Sequence, residues 1–171
     1  MTRKTAVTVG SALFFVIAPG SVVVLVPWWI SRWRIETPFF GMPIFRFGGG
    51  ILIALGIVGL LDSFVRFAIQ GVGTPAPVLP TRHLVVTGLY RYVRNPMYVA
   101  VVSAIFGQGF LLGNVAVLGY GAVVWLLVHL FVLLYEEPTL KASFGIEYTR
   151  FCTEVPRWIP RFTQWTSTRP R

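Results

Sequence analysis

The sequence predicts an all-α integral membrane protein: four transmembrane helices plus a C-terminal amphipathic interfacial helix, with both termini cytoplasmic. Three observations lead there. Of the 171 residues, 55% are hydrophobic and only 12% charged, and the mean hydropathy is +0.71, an apolar excess that a water-soluble domain would have to expose. The 41 residues from Asn95 to Tyr135 include no Asp, Glu, Lys or Arg, yet Arg91 and Arg94 stand just before them and Glu136 and Glu137 just after. At about 1.5 Å of rise per residue through a hydrocarbon core of roughly 30 Å, that run is too long for one crossing and fits two. Finally, the 15 basic residues divide 12 to 3 between the two sides of a four-crossing chain, which assigns the heavier side, holding both termini and the long loop, to the cytoplasm.

The first span runs from Ala6 to Ile30 behind Arg3 and Lys4, and its apolar part is far longer than the ~7–15 residues of a secretory signal. Pro19-Gly20 predicts a kink in mid-span. Trp28, Trp29 and Trp33 mark an interface, where amphipathic rings favour headgroup level. A connection holding Arg32, Arg34, Glu36 and Arg46 leads to the second span, Phe47 to Ile69, in which Asp62 and Arg66 stand at i,i+4 and are expected to satisfy one another. Residues 70–95 form a cytoplasmic loop. The third and fourth spans, 96–112 and 115–135, fold back at Gly113-Asn114, a pair suited to a tight turn. This hairpin returns the two glutamates to the membrane face that holds the two arginines.

Beyond it, Leu140, Phe144, Tyr148 and Phe151 recur at helical spacing while Lys141, Glu147 and Arg150 lie elsewhere around the axis. That pattern predicts an interfacial helix over 138–152 with its apolar stripe against lipid or the bundle, roofing the polar site. Pro138 stands where a bend between span and surface helix is expected, and a polar tail from Thr163 to Arg171 follows. No internal repeat or separate soluble domain is visible.

Several function classes are disfavoured. The net charge of +9 sits at the ends of apolar spans, where anionic headgroups explain it better than nucleic acid. Cys152 is the single cysteine and has no ligand neighbours at metal spacing, so zinc and redox chemistry find no support. Gly71-Val-Gly73 neither follows a strand nor opens a βαβ unit, and is weak evidence for nucleotide binding. Asn95-Pro96 reads as a helix start, with Asn as cap and Pro at the first helical position. Such an N-terminus also offers N–H groups and a positive dipole end to a carboxylate. Glu136-Glu137 has two readings: a ligand carboxylate for a cationic group, or a helix end paired with Arg91 or Arg94. His129, seven residues before Glu136, is either functional or hydrogen-bonded across helices to Gln108. Gly109-x-x-x-Gly113 predicts close helix packing within the chain.

From about Gly71 to Pro160 the chain resembles the membrane-embedded isoprenylcysteine carboxyl methyltransferases and their relatives, the phospholipid N-methyltransferases. The residues that carry this are Gly88-x-Tyr90, Arg94-Asn-Pro-Met-Tyr98, Glu136-Glu137, Phe144-Gly-x-Glu-Tyr148 and Val155-Pro-x-x-Ile-Pro160, in order around an apolar hairpin. The resemblance implies methyl transfer from S-adenosylmethionine to a lipid or isoprenoid-like acceptor at the cytoplasmic face of a membrane, bacterial by expectation, with neither metal nor nucleic acid involved. It also implies that the cofactor is held by main chain at about Arg82 to Val85 (Leu84 and Val85 within it), by Tyr90, by Asn95, Pro96, Met97 and Tyr98, and by Glu136. Arg94, Glu137, Tyr148 and Arg157 are expected to support the site or its substrate. Three positions depart from the pattern of the prenylcysteine enzymes: Asn95 where many have His, Val132 where they carry a substrate-binding arginine, and Glu154 where a basic residue precedes Val-Pro. These count against a prenylated cysteine carboxylate as acceptor and bring the chain nearer the phospholipid branch. Two other classes stand beside this reading, an NADPH-dependent membrane reductase of similar C-terminal architecture and a non-enzymatic helical scaffold.

Overall fold

The computed structural model describes Ile17, residues 19–70 (67–70 as backbone only), Leu84 and residues 86–166. Among these there is no β-strand, and the secondary structure is helical throughout. Five α-helical stretches organise it: α1 Gly20–Ser31, α2 Ile44–Gln70, α3 Pro96–Leu112, α4 Val115–Phe131 and α5 Glu137–Glu154. Two helices, Ile44–Arg66 and Val115–Glu154, are long and apolar enough to cross a membrane, while α1 and α3 are shorter apolar helices. Most of the N-terminal half of the expected first span lies outside the described residues. In the half that is described, the interruption expected at Pro19-Gly20 takes the form of a π-helical turn over Gly20–Leu25, a common site of helix bending.

α2 and α3 pack antiparallel at backbone contact because small residues line both faces. A β-carbon added to Gly49 would lie 2.6 Å from the Gly107 carbonyl oxygen, and one added to Gly56 would lie 2.7 Å from that of Ala100. In a bilayer, where lipid tails are as apolar as the helices, such close approach supplies much of the association. Gly109-x-x-x-Gly113 does pack within the chain, Gly109 against Leu118, but the longer seam of small residues is the one between α2 and α3. Gly113 takes the left-handed conformation (φ 74°) that ends α3. Asn114 then caps α4, its side-chain oxygen accepting from Val117 N–H at 3.0 Å while its amide donates to Glu36. α3 and α4 thus form a helical hairpin with its turn at Gly113-Asn114.

Pro138, where a bend was expected, does not interrupt the helix. Glu136 and Glu137 both keep right-handed helical backbone angles, and the helix runs on from α4 through a π-helical turn, Val132–Glu136, into α5. Proline is tolerated in a helix where its missing N–H needs no partner, and here the wider turn, with Glu137 N–H bonded to Val132 O, rearranges the ladder ahead of it. The break comes instead at Gly145 (φ 53°, ψ −122°). The helix that runs from Val115 as far as Gly145 rises about 45 Å, longer than the roughly 30 Å of hydrocarbon.

The stripe of α5 is covered by the chain itself. Tyr148 and Phe151 are buried with Val155 and Trp165, and Leu84, Val86, Leu140 and Phe144 pack around them. The polar tail expected from Thr163 is thus anchored at Trp165, whose indole N–H donates to Glu154 at 2.9 Å. A buried aromatic ring with one satisfied donor outweighs the polarity of its neighbours.

Candidate functional site

Everything polar at this end of the molecule gathers where α3 begins and α4 runs into α5. Residues 91–94 lie alongside the segment that follows α5, joined by Arg94 N–H to Pro156 O (2.9 Å), Arg161 N–H to Tyr92 O and Trp165 N–H to Arg91 O (both 3.0 Å). This strap, residues 155–165, brings Arg157 onto the hairpin. Its guanidinium grips the Glu137 carboxylate twice, Nε to Oε1 at 2.6 Å and Nη2 to Oε2 at 3.0 Å, and Arg94 Nη1 adds a third bond at 3.0 Å. Burial opposes ionisation of Glu137, yet the Arg157 hydrogen bonds and the Arg94 and Arg157 charges together hold its carboxyl below the ordinary 4.5. Arg94 also reaches Cys152 Sγ at 2.8 Å, and Cys152 lies beside the Tyr148 phenol, whose ionisation is suppressed first by burial and then by Cys152.

Glu136 faces the other way. Its Oε2 accepts from the Tyr98 hydroxyl at 3.0 Å, and among the described residues no cation pairs with it. Burial pushes its carboxyl above the usual carboxylate range, with the Tyr98 bond opposing and the Glu137 charge adding to the rise. Tyr90 shares this environment: burial raises its phenol, the Ser63 hydroxyl lowers it, and the Glu136 and Asp62 charges raise it further. The ends of the charge-free run therefore meet, and Tyr90, Tyr98 and Glu136 form one cluster.

The remaining expected positions divide. Pro96 is buried at the first turn of α3, as expected. Asn95 precedes it, but its side chain makes no cap; it donates instead to Arg157 O at 3.2 Å, tying the helix start to the strap. The backbone at Asn95 (φ −120°, ψ 55°) reflects the restriction proline places on its predecessor, and leaves the amide free to reach outward. Met97 packs against the protein's hydrophobic core around Ala100 and Val101. Leu84 is half-buried against the Tyr148 and Trp165 cluster, while Val85 and Arg82 lie outside the described residues. Val132, where the related enzymes carry an arginine, is 1% exposed, so a long cation has no room there.

His129 does not meet Gln108, which donates to Val23 O and Ala104 O. His129 Nδ1 accepts from Trp158 Nε1 at 3.0 Å and its ring stacks on Trp125 at 5.2 Å, pinning the strap a third way. Sequence reasoning also overlooked how α2 reaches the loop. Asp62 and Arg66 pair as expected, at 2.7 and 2.8 Å, but Asp62 additionally accepts from Leu89 N–H at 3.4 Å. An intramembrane ion pair within one turn of a polar loop was the available signal. Beside that loop lies a cavity of about 530 Å³ bordered by Arg66, Thr87, Gly88, Arg91, Tyr92 and Trp165.

Fold and site thus define a helical protein with two helices long and apolar enough to cross a membrane, a carboxylate–tyrosine cluster at one end, and beside that cluster a strap bound through Arg157 to Glu137. The family model for phospholipid methyltransferases matches residues 44–147, and the chain belongs to that family. A curated relative, the protein-S-isoprenylcysteine O-methyltransferase of Schizosaccharomyces pombe, is 39% identical over 80 residues, 46% of this chain and 34% of the relative. The match spans about a third of that protein's length.

Proposed function

We propose that this protein is an S-adenosylmethionine-dependent methyltransferase acting on a lipid or isoprenoid-like acceptor at the cytoplasmic face of the membrane, with four crossings and both termini on that face. Family membership supports methyl transfer over a reductase or a scaffold. The observation that carries the cofactor reading is the contrast between the two glutamates: both nearby arginines are committed to Glu137, so Glu136 retains an unneutralised charge, with only a tyrosine hydroxyl on it, in a half-buried position.

The residues fit such a cofactor. A half-buried carboxylate without a cation is a receptor for an ammonium group, since pairing offsets the cost of partly desolvating the charge. The first N–H groups of α3, whose donors no side chain caps, suit a carboxylate. Tyr90 and Tyr98 offer aromatic faces, which attract cationic centres. When bound, S-adenosylmethionine supplies a methyl group on sulfonium; the acceptor's lone pair forms the new bond to that carbon as the carbon–sulfur bond breaks and its electrons return to sulfur. The protein contributes alignment and a dry enclosure, for which the strap over α3 and α5 is suited. The buried Val132 and the family model favour an acceptor that needs no arginine on the α4 side.

Two measurements test this. Protein purified in mild detergent should carry S-adenosylhomocysteine by mass spectrometry, and radiolabelled methyl should pass into a total lipid extract. Glu136→Gln should weaken S-adenosylhomocysteine by about tenfold or more in calorimetry, the weight of one charged hydrogen bond. Wild-type affinity in that variant would remove Glu136 from the site.

A further inference from the structure

α2 contributes four residues to the loop that carries Tyr90, and they occupy a single face of the helix. Gly59, Asp62, Ser63 and Arg66 recur at i, i+3, i+4 and i+7, the spacing of one helical stripe. Leu89 sits over Gly59, its Cδ1 3.9 Å from where a β-carbon would stand. Asp62 accepts from Leu89 N–H at 3.4 Å while both its oxygens hold Arg66. The Arg66 guanidinium lies directly on Gly88, which adopts φ +56° and leaves no space for a β-carbon. Ser63, wholly buried, sets its hydroxyl beside the Tyr90 phenol without meeting hydrogen-bond geometry. A pair that served only to neutralise itself would require none of this register.

We propose that the Gly59–Asp62–Ser63–Arg66 stripe is a positioning device: it fixes the Gly88-Leu89-Tyr90 turn against α2, and so sets where Tyr90 stands in the cofactor pocket without itself touching the cofactor. This rests on the cofactor reading above. Asp62 and Arg66 act through the turn. Arg66 neutralises Asp62 so that the carboxylate can remain ionised in a membrane helix and still accept from a backbone N–H, and its flat guanidinium packs where only glycine fits. Removal of the clamp loosens the turn and lowers affinity, leaving the chemical step at saturating cofactor nearly as before.

The test compares wild type with two paired replacements. Asp62→Leu with Arg66→Met removes the hydrogen bond and both charges together, which a buried ion pair tolerates far better than loss of one partner. Asp62→Asn with Arg66→Gln keeps an acceptor for Leu89 and a neutral hydrogen-bonded pair. Hydrogen exchange of the peptide covering residues 88–92 in the ligand-free protein should speed up about tenfold in the apolar pair and about twofold or less in the amide pair, one hydrogen bond being worth about a factor of ten. KM for S-adenosylmethionine should rise by about the same factors while kcat changes by about twofold or less. Unchanged exchange in the apolar pair would overturn the clamp, as would a fall in kcat with KM unaltered. If wild type binds no S-adenosylhomocysteine, the cofactor reading fails on its own, and the exchange experiment still decides whether α2 holds the turn. If the apolar pair does not purify, Asp62→Ala with Arg66→Gln, which likewise removes the acceptor for Leu89 and both charges, carries the same measurements with the same expected tenfold change, and a KM equal to wild type together with unchanged exchange overturns the proposal.

Discussion

Neutralising Glu137 should unseat the strap, whereas the same change one residue earlier should not. Glu137 is 10% exposed at its side chain and Arg94 11%, so their bond is largely dry, while Arg157 at 31% can partly rehydrate. Breaking one partner of a buried pair costs about 3–5 kcal/mol because the other charges remain. With Gln retaining one acceptor and Arg157 able to turn to water, we take about 3 kcal/mol for Glu137→Gln. For a chain of this size each kcal/mol moves Tm by roughly 2–4 °C, which gives a drop of about 6–12 °C in thermal unfolding in detergent. The pH dependence has a definite sign. The folded carboxyl of Glu137 ionises below the ordinary 4.5, so its stabilisation is complete above that value and fades as pH falls through the folded value. The gap in Tm between wild type and variant should therefore be widest near neutrality and close as pH drops below about 4.5. A variant within about 2 °C of wild type at neutral pH, or a gap that widens on acidification, would refute the three-bond network.

Two glycine substitutions read out the geometry separately. Gly88→Ala forces a β-carbon onto the Arg66 guanidinium at positive φ and should cost about 1–2 kcal/mol from backbone conformation alone, visible as weakened S-adenosylhomocysteine binding with the helix content of circular dichroism retained. Gly107→Val sets a branched side chain against the Gly49 backbone and Ile53; overpacking of about 3 kcal/mol should sharply reduce the monodisperse fraction on size exclusion. Gly50→Val, where nothing lies within 4 Å, should leave that fraction unchanged.

The hairpin was legible because its signals are local: an uncharged run of fixed length, Gly113-Asn114 at the fold point, Pro96 at a helix start. The cluster of Tyr90, Tyr98 and Glu136 was legible only through its motifs, since nothing in spacing says which of two adjacent glutamates turns inward. What escaped the sequence depends on tertiary contact. Pro138 looked like a bend, but the π-helical turn before it absorbs the missing donor, and a ladder shift of one residue leaves no compositional trace. Asn95 looked like a cap, yet a carbonyl of the strap competes for its side chain. The seam of Gly49, Gly56 and Gly59 is spread over the helix rather than set in a four-residue motif, and its partners Ala100, Ala104 and Gly107 are recognisable only once the register of α2 on α3 is known.

The π-helical turn also explains how two adjacent carboxylates come to have different partners. Neighbours on a helix diverge by roughly 100° around its axis, so Glu136 and Glu137 point to different sides whatever surrounds them; register decides which side each receives. Here Glu136 meets Tyr98 on α3, and Glu137 meets Arg94 and the strap's Arg157. Were the helix turned on by one residue, Glu136 would lie beside Arg94 and Arg157, which would neutralise it, and Tyr135 would face Tyr98, leaving no carboxylate there for a cationic ligand. One residue added to the turn makes that shift. On our proposal, insertion of one alanine within Val132–Tyr135 should therefore abolish cofactor binding more completely than Glu136→Gln does, because it brings Tyr135 into the place of the free carboxylate and Glu136 into the place of the neutralised one. An insertion variant that folds and retains S-adenosylhomocysteine would show that the register of this turn has no part in the site.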